Sequence, residues 1–149
     1  MASVAGTVGQ ILTQKGKLTL KTISPDQKVY GAIEQMAVNN IGALLVMTGD
    51  HLDGIVSERD YTRKVILNGK SSKETPVSDI MTKTVICANP SLSIEECLRK
   101  MSENDIRHMP VLDGDKVVGM LSIGDLVRWV ISAQDATISQ LESYITGQV

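Results

Sequence analysis

The chain has 149 residues, 42% hydrophobic and 21% charged, with a net charge of −2 and a pI near 5.6. That mildly acidic balance, with no basic face, argues against a general nucleic-acid or membrane-surface binder, and 3% aromatics with no Phe leaves little to stack unpaired bases on. The longest purely apolar run, Ala43 to Met47, falls far short of the roughly 20 residues of a membrane span.

In chain order, Val4, Val8, Ile11 and Leu12 stand at loosely helical spacing and predict a lead-in helix over residues 3–13. Lys17 to Ile23 alternates apolar with polar residues, as a strand does. Ser24-Pro25-Asp26 opens a helix whose apolar stripe is Val29, Ala32, Ile33, Met36 and Ala37, and Asn39-Asn40 ends it. Ala43 to Met47 reads as a strand buried on both faces. A Gly49-Asp50 turn then leads to a strand over Leu52 to Val56, and Ser57 starts a helix that reaches about Leu67.

Gly69 to Pro76 is polar and rich in breakers, a linker. After it the plan recurs. Val77 to Met81 forms a short capped turn and Thr84 to Ala88 a strand. Ser93-x-x-Glu96 is a capping box before a helix with the stripe Ile94, Cys97, Leu98 and Met101. His108 to Leu112 and Val117 to Leu121 are strands about the Asp113-Gly114 turn. The last helix starts near Ile123 and runs far past its counterpart, with Leu126, Val130, Ile138, Leu141 and Ile145 roughly in phase.

This recurrence is a tandem duplication. At an offset of 65 positions the chain aligns with itself without a gap from Ile23/Ala88 to Arg63/Arg128, and 11 of the 41 pairs are identical, which makes the repeat the primary fact about the fold. The fold class is α+β: two pseudo-symmetric β-α-β-β-α repeats, residues 8–68 and 77–134, with a helical extension over 135–149. A repeat of about 60 residues buries only about 60% of its unfolded surface alone, so the halves are expected to pack together, with two related clefts between them. No dinucleotide fingerprint marks a doubly wound sheet.

Two segments, Ser57-x-x-Asp60 and Ser122-x-x-Asp125, carry the candidate chemistry. Each is explained by helix capping alone. The same geometry also offers free N–H groups and partial positive charge to a phosphate, and a carboxylate that can accept two hydrogen bonds from a ribose diol. Arg59 and Arg63 flank Asp60, and Arg107-His108 precedes the buried strand of the second half. Cations at a helix start oppose the macrodipole, whereas an Arg fork suits a phosphate. The bland reading is a solvated helix face for Arg63 and Arg128 and a half-buried edge residue for His108. His51, alone in a turn, carries no functional reading. Cys87 and Cys97 form neither a CxxC nor a zinc pattern and read as packing residues.

With these residues in view, the chain resembles a pair of CBS domains (cystathionine-β-synthase domains), the tandem unit also called a Bateman module. Asp79-Ile80-Met81-Thr82, Ile106-Arg107-His108-Met109-Pro110-Val111 and the two Gly-x-x-Ser-x-x-Asp segments carry the likeness. Gly-Ile-Val-Ser-Glu-Arg-Asp is similar to small stand-alone bacterial members. The resemblance covers about Val8 to Ile131 and implies a sensor of adenosine-containing ligands: AMP, ADP, ATP, NAD or S-adenosylmethionine. It also implies that the ribose-binding Asp of one repeat faces the first strand and pre-strand loop of the other. Asp60, Ser57 and Arg59 would then share a cleft with Ile86, Cys87, Ile106, Arg107 and His108. Asp125 and Ser122 would share the other with Lys21, Thr22, Ile41, Gly42 and Ala43. Ile55 or Met120 would cover the adenine. Since Gly124, Gly42 and Ala43 stand where the first cleft has Arg59, Arg107 and His108, the Asp60 cleft is expected to be the better phosphate site.

The resemblance further implies a homodimer and a separate regulated protein. Two other readings compete: a structural interaction module, such as a partner of redox proteins, and an enzyme acting on a phosphoanhydride through Arg107-His108 and Asp60. No nucleophile–base pair or metal-ligand spacing favours the enzyme. The N-terminus lacks a signal-peptide pattern, and the cytoplasm is the expected compartment.

Overall fold

A computed structural model describes residues 4–16 and 20–145; within the last helix, side chains are described to Gln134 and at Glu142. The elements are α1 (Val8–Lys15), β1 (Thr22–Ile23), α2 (Val29–Asn39), β2 (Ala43–Thr48), β3 (His51–Ser57), α3 (Glu58–Tyr61), a π-turn (Thr62–Ile66), a 3₁₀ turn (Val77–Asp79), α4 (Ile94–Glu103), β4 (His108–Asp113), β5 (Lys116–Ser122) and α5 (Ile123–Ile145). One sheet has the order β1-β2-β3, with β1 parallel and β3 antiparallel to β2; β4 and β5 form the other. No helix among the described residues is long and apolar enough to cross a membrane. The α+β class and the repeated plan expected from the sequence are what the chain adopts.

Two compact units divide the chain. One consists of residues 19–86 with 115–118, the other of residues 1–18, 87–114 and 119–149. The first is built on Leu44, Val46 and Val56 of its sheet, packed with Val29, Ala32 and Met36 of α2 and with Val65, Val77 and Ile80. Each of these Val, Leu, Ile and Met side chains contributes about 1.5–3 kcal/mol by leaving water. β2 is buried at its first four residues, as its unbroken apolar run requires. In the second unit Ile94, Cys97 and Met101 of α4, Met109 and Val111 of β4, Leu121 and Leu126 are buried together with Val8 and Ile11 of α1.

The two repeats end their first helices in the same way. Asn40 and Asp105, at equivalent positions, both take positive φ (52° and 51°), which Asn and Asp tolerate better than other side chains. Ile41 N–H then donates to the Met36 carbonyl and Ile106 N–H to the Met101 carbonyl, each at 3.0 Å, closing the helix end.

Several elements depart from the sequence expectation. The lead-in helix starts at Val8 and runs to Lys15, because Thr7 and Gln10 form a capping box there. α2 starts at Val29 rather than at Ser24-Pro25-Asp26. Its first N–H groups are capped by the linker: Val29 N–H donates to the Thr75 carbonyl and Tyr30 N–H to that of Ser72, both at 2.9 Å. β1 is only Thr22–Ile23; the part of the predicted strand at 17–19 lies outside the described residues. The predicted strand Thr84–Ala88 reduces to a single parallel bridge, Ala88 with Val111. In the first repeat Leu45 N–H extends the ladder by donating to the Lys21 carbonyl at 3.2 Å. Its equivalent in the second is Pro110, which has no N–H to give. The helix predicted from Ser57 to Leu67 makes one α-turn and then widens, Leu67 N–H donating five residues back to the Thr62 carbonyl at 3.2 Å. At α4, Ser93 Oγ caps Glu96 N–H at 3.1 Å, but the Glu96 carboxylate pairs with Arg99 instead of closing the box.

Candidate functional site

Both Ser-x-x-Asp boxes are built. In the first, the Asp60 carboxylate accepts from Ser57 N–H at 2.9 Å and Ser57 Oγ at 3.0 Å, and Ser57 Oγ accepts from Asp60 N–H at 3.1 Å. In the second, Asp125 Oδ2 accepts from Ser122 N–H at 2.8 Å, and Ser122 Oγ accepts from Asp125 N–H at 3.2 Å. The residue just before β2 or β4 is tied to each box in the same way: Glu58 N–H donates to the Gly42 carbonyl at 3.0 Å and Ile123 N–H to the Arg107 carbonyl at 2.8 Å. Asp60 and Asp125 are the two buried acids among the described residues, each only 8% exposed.

The counterions differ. Asp60 Oδ1 meets Lys64 Nζ at 3.0 Å, and the same ammonium donates to the Ile80 carbonyl at 2.9 Å. Asp125 holds two cations: Lys15 Nζ at 3.0 Å on Oδ2 and Arg128 Nη2 at 2.8 Å on Oδ1. Burial acts most strongly on the Asp125 carboxyl and pushes its pKa up. The Ser122 N–H, the Lys15 ammonium and the Arg128 guanidinium outweigh it, and the net pKa lies below the ordinary carboxylate value. The acid therefore stays ionised although it is nearly out of water.

Of the residues the sequence assigns to the Asp60 site, Ile55, Ser57, Arg59, Asp60 and Ile86 lie in the first unit, and Cys87, Ile106, Arg107 and His108 in the second. Of those assigned to the Asp125 site, Met120, Ser122 and Asp125 lie in the second unit, and Lys21, Thr22, Ile41, Gly42 and Ala43 in the first. Within the first unit, Ala43 pairs directly with Ser57 across β2 and β3. Arg107 and Lys21 are exposed, while Arg59, His108 and Ile106 are half-buried. Arg63 is exposed, as a solvated helix face would be, but Arg128 turns back onto Asp125. The carboxylate thus offsets the unfavourable placing of that cation near a helix start.

Two residues at the boxes escaped sequence reasoning. Lys64 had a readable signal, its i,i+4 spacing from Asp60. Lys15 is 110 positions from Asp125 and had none. A pocket of about 480 Å³ also went unforeseen; Ile33, Met36 and Ala37 of α2, Ile41, and Glu58 and Tyr61 of α3 line it. The predicted stripe of α2 is wider than its core needs: Ile33 is half-buried and Ala37 exposed. Burial raises the pKa of both thiols, Cys97 being fully buried with its Sγ 3.8 Å from Met109 Sδ. In the β2–β3 hairpin, Thr48 Oγ1 at 2.5 Å and His51 Nδ1 at 2.9 Å hold the Asp53 carboxylate. Among the described residues no group of three or more His, Cys, Asp or Glu is placed to hold a metal ion.

Comparison with known proteins bears on this arrangement. The family model described as the CBS domain matches residues 8–66 and again residues 77–132. A solved CBS-domain protein from Burkholderia ambifaria is 51% identical, with a TM-score of 0.82 over 87% of this chain and 96% of that one. The mitochondrial CBS domain-containing protein CBSX3 of Arabidopsis thaliana is 38% identical over 95% of this chain and 72% of its own length. The CBS domain pair of protein MJ0100, solved in complex with 5′-methylthioadenosine and S-adenosyl-L-methionine, is 26% identical, with a TM-score of 0.72 over 83% of this chain and 94% of that one. With its duplicated boxes and its two matched segments, the chain belongs to the CBS-domain family as a tandem pair of CBS domains.

Proposed function

We propose that this CBS pair is a non-catalytic regulatory module that binds an adenine nucleotide (AMP, ADP, ATP or NAD) through Asp60 and Asp125 and signals the bound state to a partner protein. The observation that carries the reading is that both box acids are buried to 8% exposure with cations beside them. A capping box serves an exposed helix end equally well, and burying charge costs free energy unless it is fully paired. Capping alone therefore leaves the burial unexplained. Carboxylates held by their own Ser and backbone N–H groups are preorganised acceptors for a ribose diol. The likeness to the MJ0100 pair, solved with two adenosine-containing molecules, supports the ligand class. The other residues the sequence assigns to each site, and the division into repeats at 8–68 and 77–134, belong to the same proposal.

Signalling requires that the nucleotide bind one of two conformations more tightly, since a ligand with equal affinity for both shifts nothing. The reader is a second copy of the chain or a separate cytoplasmic protein. The pocket beside α2, together with Val38, 84% exposed on the same helix, supports a protein contact there.

A thermal-shift screen over AMP, ADP, ATP, NAD, NADH and S-adenosylmethionine tests the function. A ligand at a hundred times its Kd adds about 2.7 kcal/mol, which raises Tm by roughly 5–10 °C for a chain of this size. No shift with any of the six would leave a structural interaction module. Release of phosphate from ATP by the purified protein would instead support the enzyme reading.

A further inference from the structure

We propose that Lys15 determines ligand charge at the Asp125 site: its ammonium holds the carboxylate and reads a phosphate when a nucleotide binds. The proposal rests on the nucleotide-binding function above and adds a residue from outside both repeated boxes.

Residues 5–15 are held against the rest of the second unit at successive points. Trp129 Nε1–H donates to the Ala5 carbonyl at 2.9 Å, and Ile94 N–H to that of Gly6 at 3.1 Å. Val8 N–H donates to the Leu92 carbonyl at 2.9 Å and Gly9 N–H to that of Pro90 at 2.8 Å. One turn further on, Leu12 lies so close to Gly119 that a Cβ there would come within 2.8 Å of its Cδ2. α1 therefore crosses β5 beside Met120, and its last residue, Lys15, points at the box. Lys15 Nζ reaches both Asp125 Oδ2 at 3.0 Å and the Met120 carbonyl at 3.5 Å.

Charge and donor counts show what this cation can do. One carboxylate faces two cations, so the cluster carries a surplus positive charge. An ammonium has three donors. Two are directed at Asp125 and Met120, and the second of these, at 3.5 Å, is weak. Lys15 retains 30% side-chain exposure, and its flexible stem lets the ammonium pivot. A ribose diol taking the outer face of Asp125 brings no charge to neutralise it, so Lys15 and Arg128 can face the attached phosphate together. Removing Lys15 brings the cluster to neutrality and leaves the diol contact in place.

Calorimetric titration of the full chain with AMP and with adenosine tests this, in an Asp60→Ala background so that the Asp125 site is read alone; Asp60→Asn substitutes if Asp60→Ala melts below the assay temperature. Lys15→Met should weaken AMP about tenfold, the scale of one charge-assisted hydrogen bond, and adenosine less than twofold. Lys15→Arg should restore the preference for AMP. An unchanged ratio of AMP to adenosine affinity, or an equal loss of both, overturns the role of Lys15 while leaving the binding function standing. Absence of binding by either ligand, with Lys15 present or replaced, overturns both.

Discussion

After Ser57 the first repeat makes one α-turn and then a π-turn, whereas after Ser122 the second continues as an α-helix of 23 residues. The counterion follows this difference. In the regular helix Asp125 takes Arg128, three residues on; beside the wider turn Asp60 takes Lys64, four residues on, and the equivalent Arg63 is left exposed. Duplication has preserved the backbone half of the site, Ser hydroxyl to N–H and carboxylate to N–H, within a few tenths of an ångström. The charged half has been rebuilt separately in each copy. π-turns inside helices occur often at functional sites, and this one positions Lys64 to join Asp60 to the Ile80 carbonyl just after the linker.

The equivalent glycines of β3 and β5 give the largest expected contrast. A Cβ on Gly54 would lie 2.6 Å from the Thr82 carbonyl oxygen, backbone fixed by reciprocal bonds with Ile55 at 2.8 and 3.1 Å. On Gly119 it would meet the end of the Leu12 side chain at 2.8 Å, which can rotate away. Gly54→Ala should cost about 2–3 kcal/mol and Gly119→Ala less than about 1 kcal/mol, measured as midpoints of urea unfolding. Equal costs would show that the two copies tolerate the same strain and that the contrast is not built in.

A smaller effect separates the counterions by pH. The Asp125 pKa is depressed in the folded chain, so the stability it supplies is present above the unfolded carboxylate value of about 3.9 and is lost as pH falls through the folded value. Lys15→Met should therefore lower stability by about 1 kcal/mol at neutral pH, and by progressively less once pH drops below about 4. A penalty that does not change with pH would mean that Lys15 contributes by packing of its stem.

Much of the architecture was legible because its causes are local. The 65-residue offset exposed the duplication, the unbroken run Ala43 to Met47 marked a doubly buried strand, and Asn39-Asn40 marked a helix end. What was missed depends on partners far away or on single missing groups. Pro110 removes one N–H and with it a strand whose own residues, Thr84 to Ala88, look suitable. α2 begins late because carbonyls of the linker, more than forty positions on, cap its first turn. The π-turn leaves no trace in the apolar pattern, since Val65 still reaches the core. At the site, Ser57, Asp60, Ser122 and Asp125 announced themselves by repetition. Lys15, contributed once and from the far end of the chain, could not. The expectation that the Asp60 site is the better phosphate site came from comparing only aligned positions, and Lys15 stands before the alignment begins.

The most direct measurement is a calorimetric titration of AMP into the wild-type chain and into Asp60→Asn and Asp125→Asn, with Tm recorded for each. Either change should remove one binding event or weaken it by about 1–3 kcal/mol, five- to 150-fold, while each variant remains folded at the titration temperature. Wild-type AMP binding retained in both folded variants would mean that the two carboxylates are helix caps and nothing more.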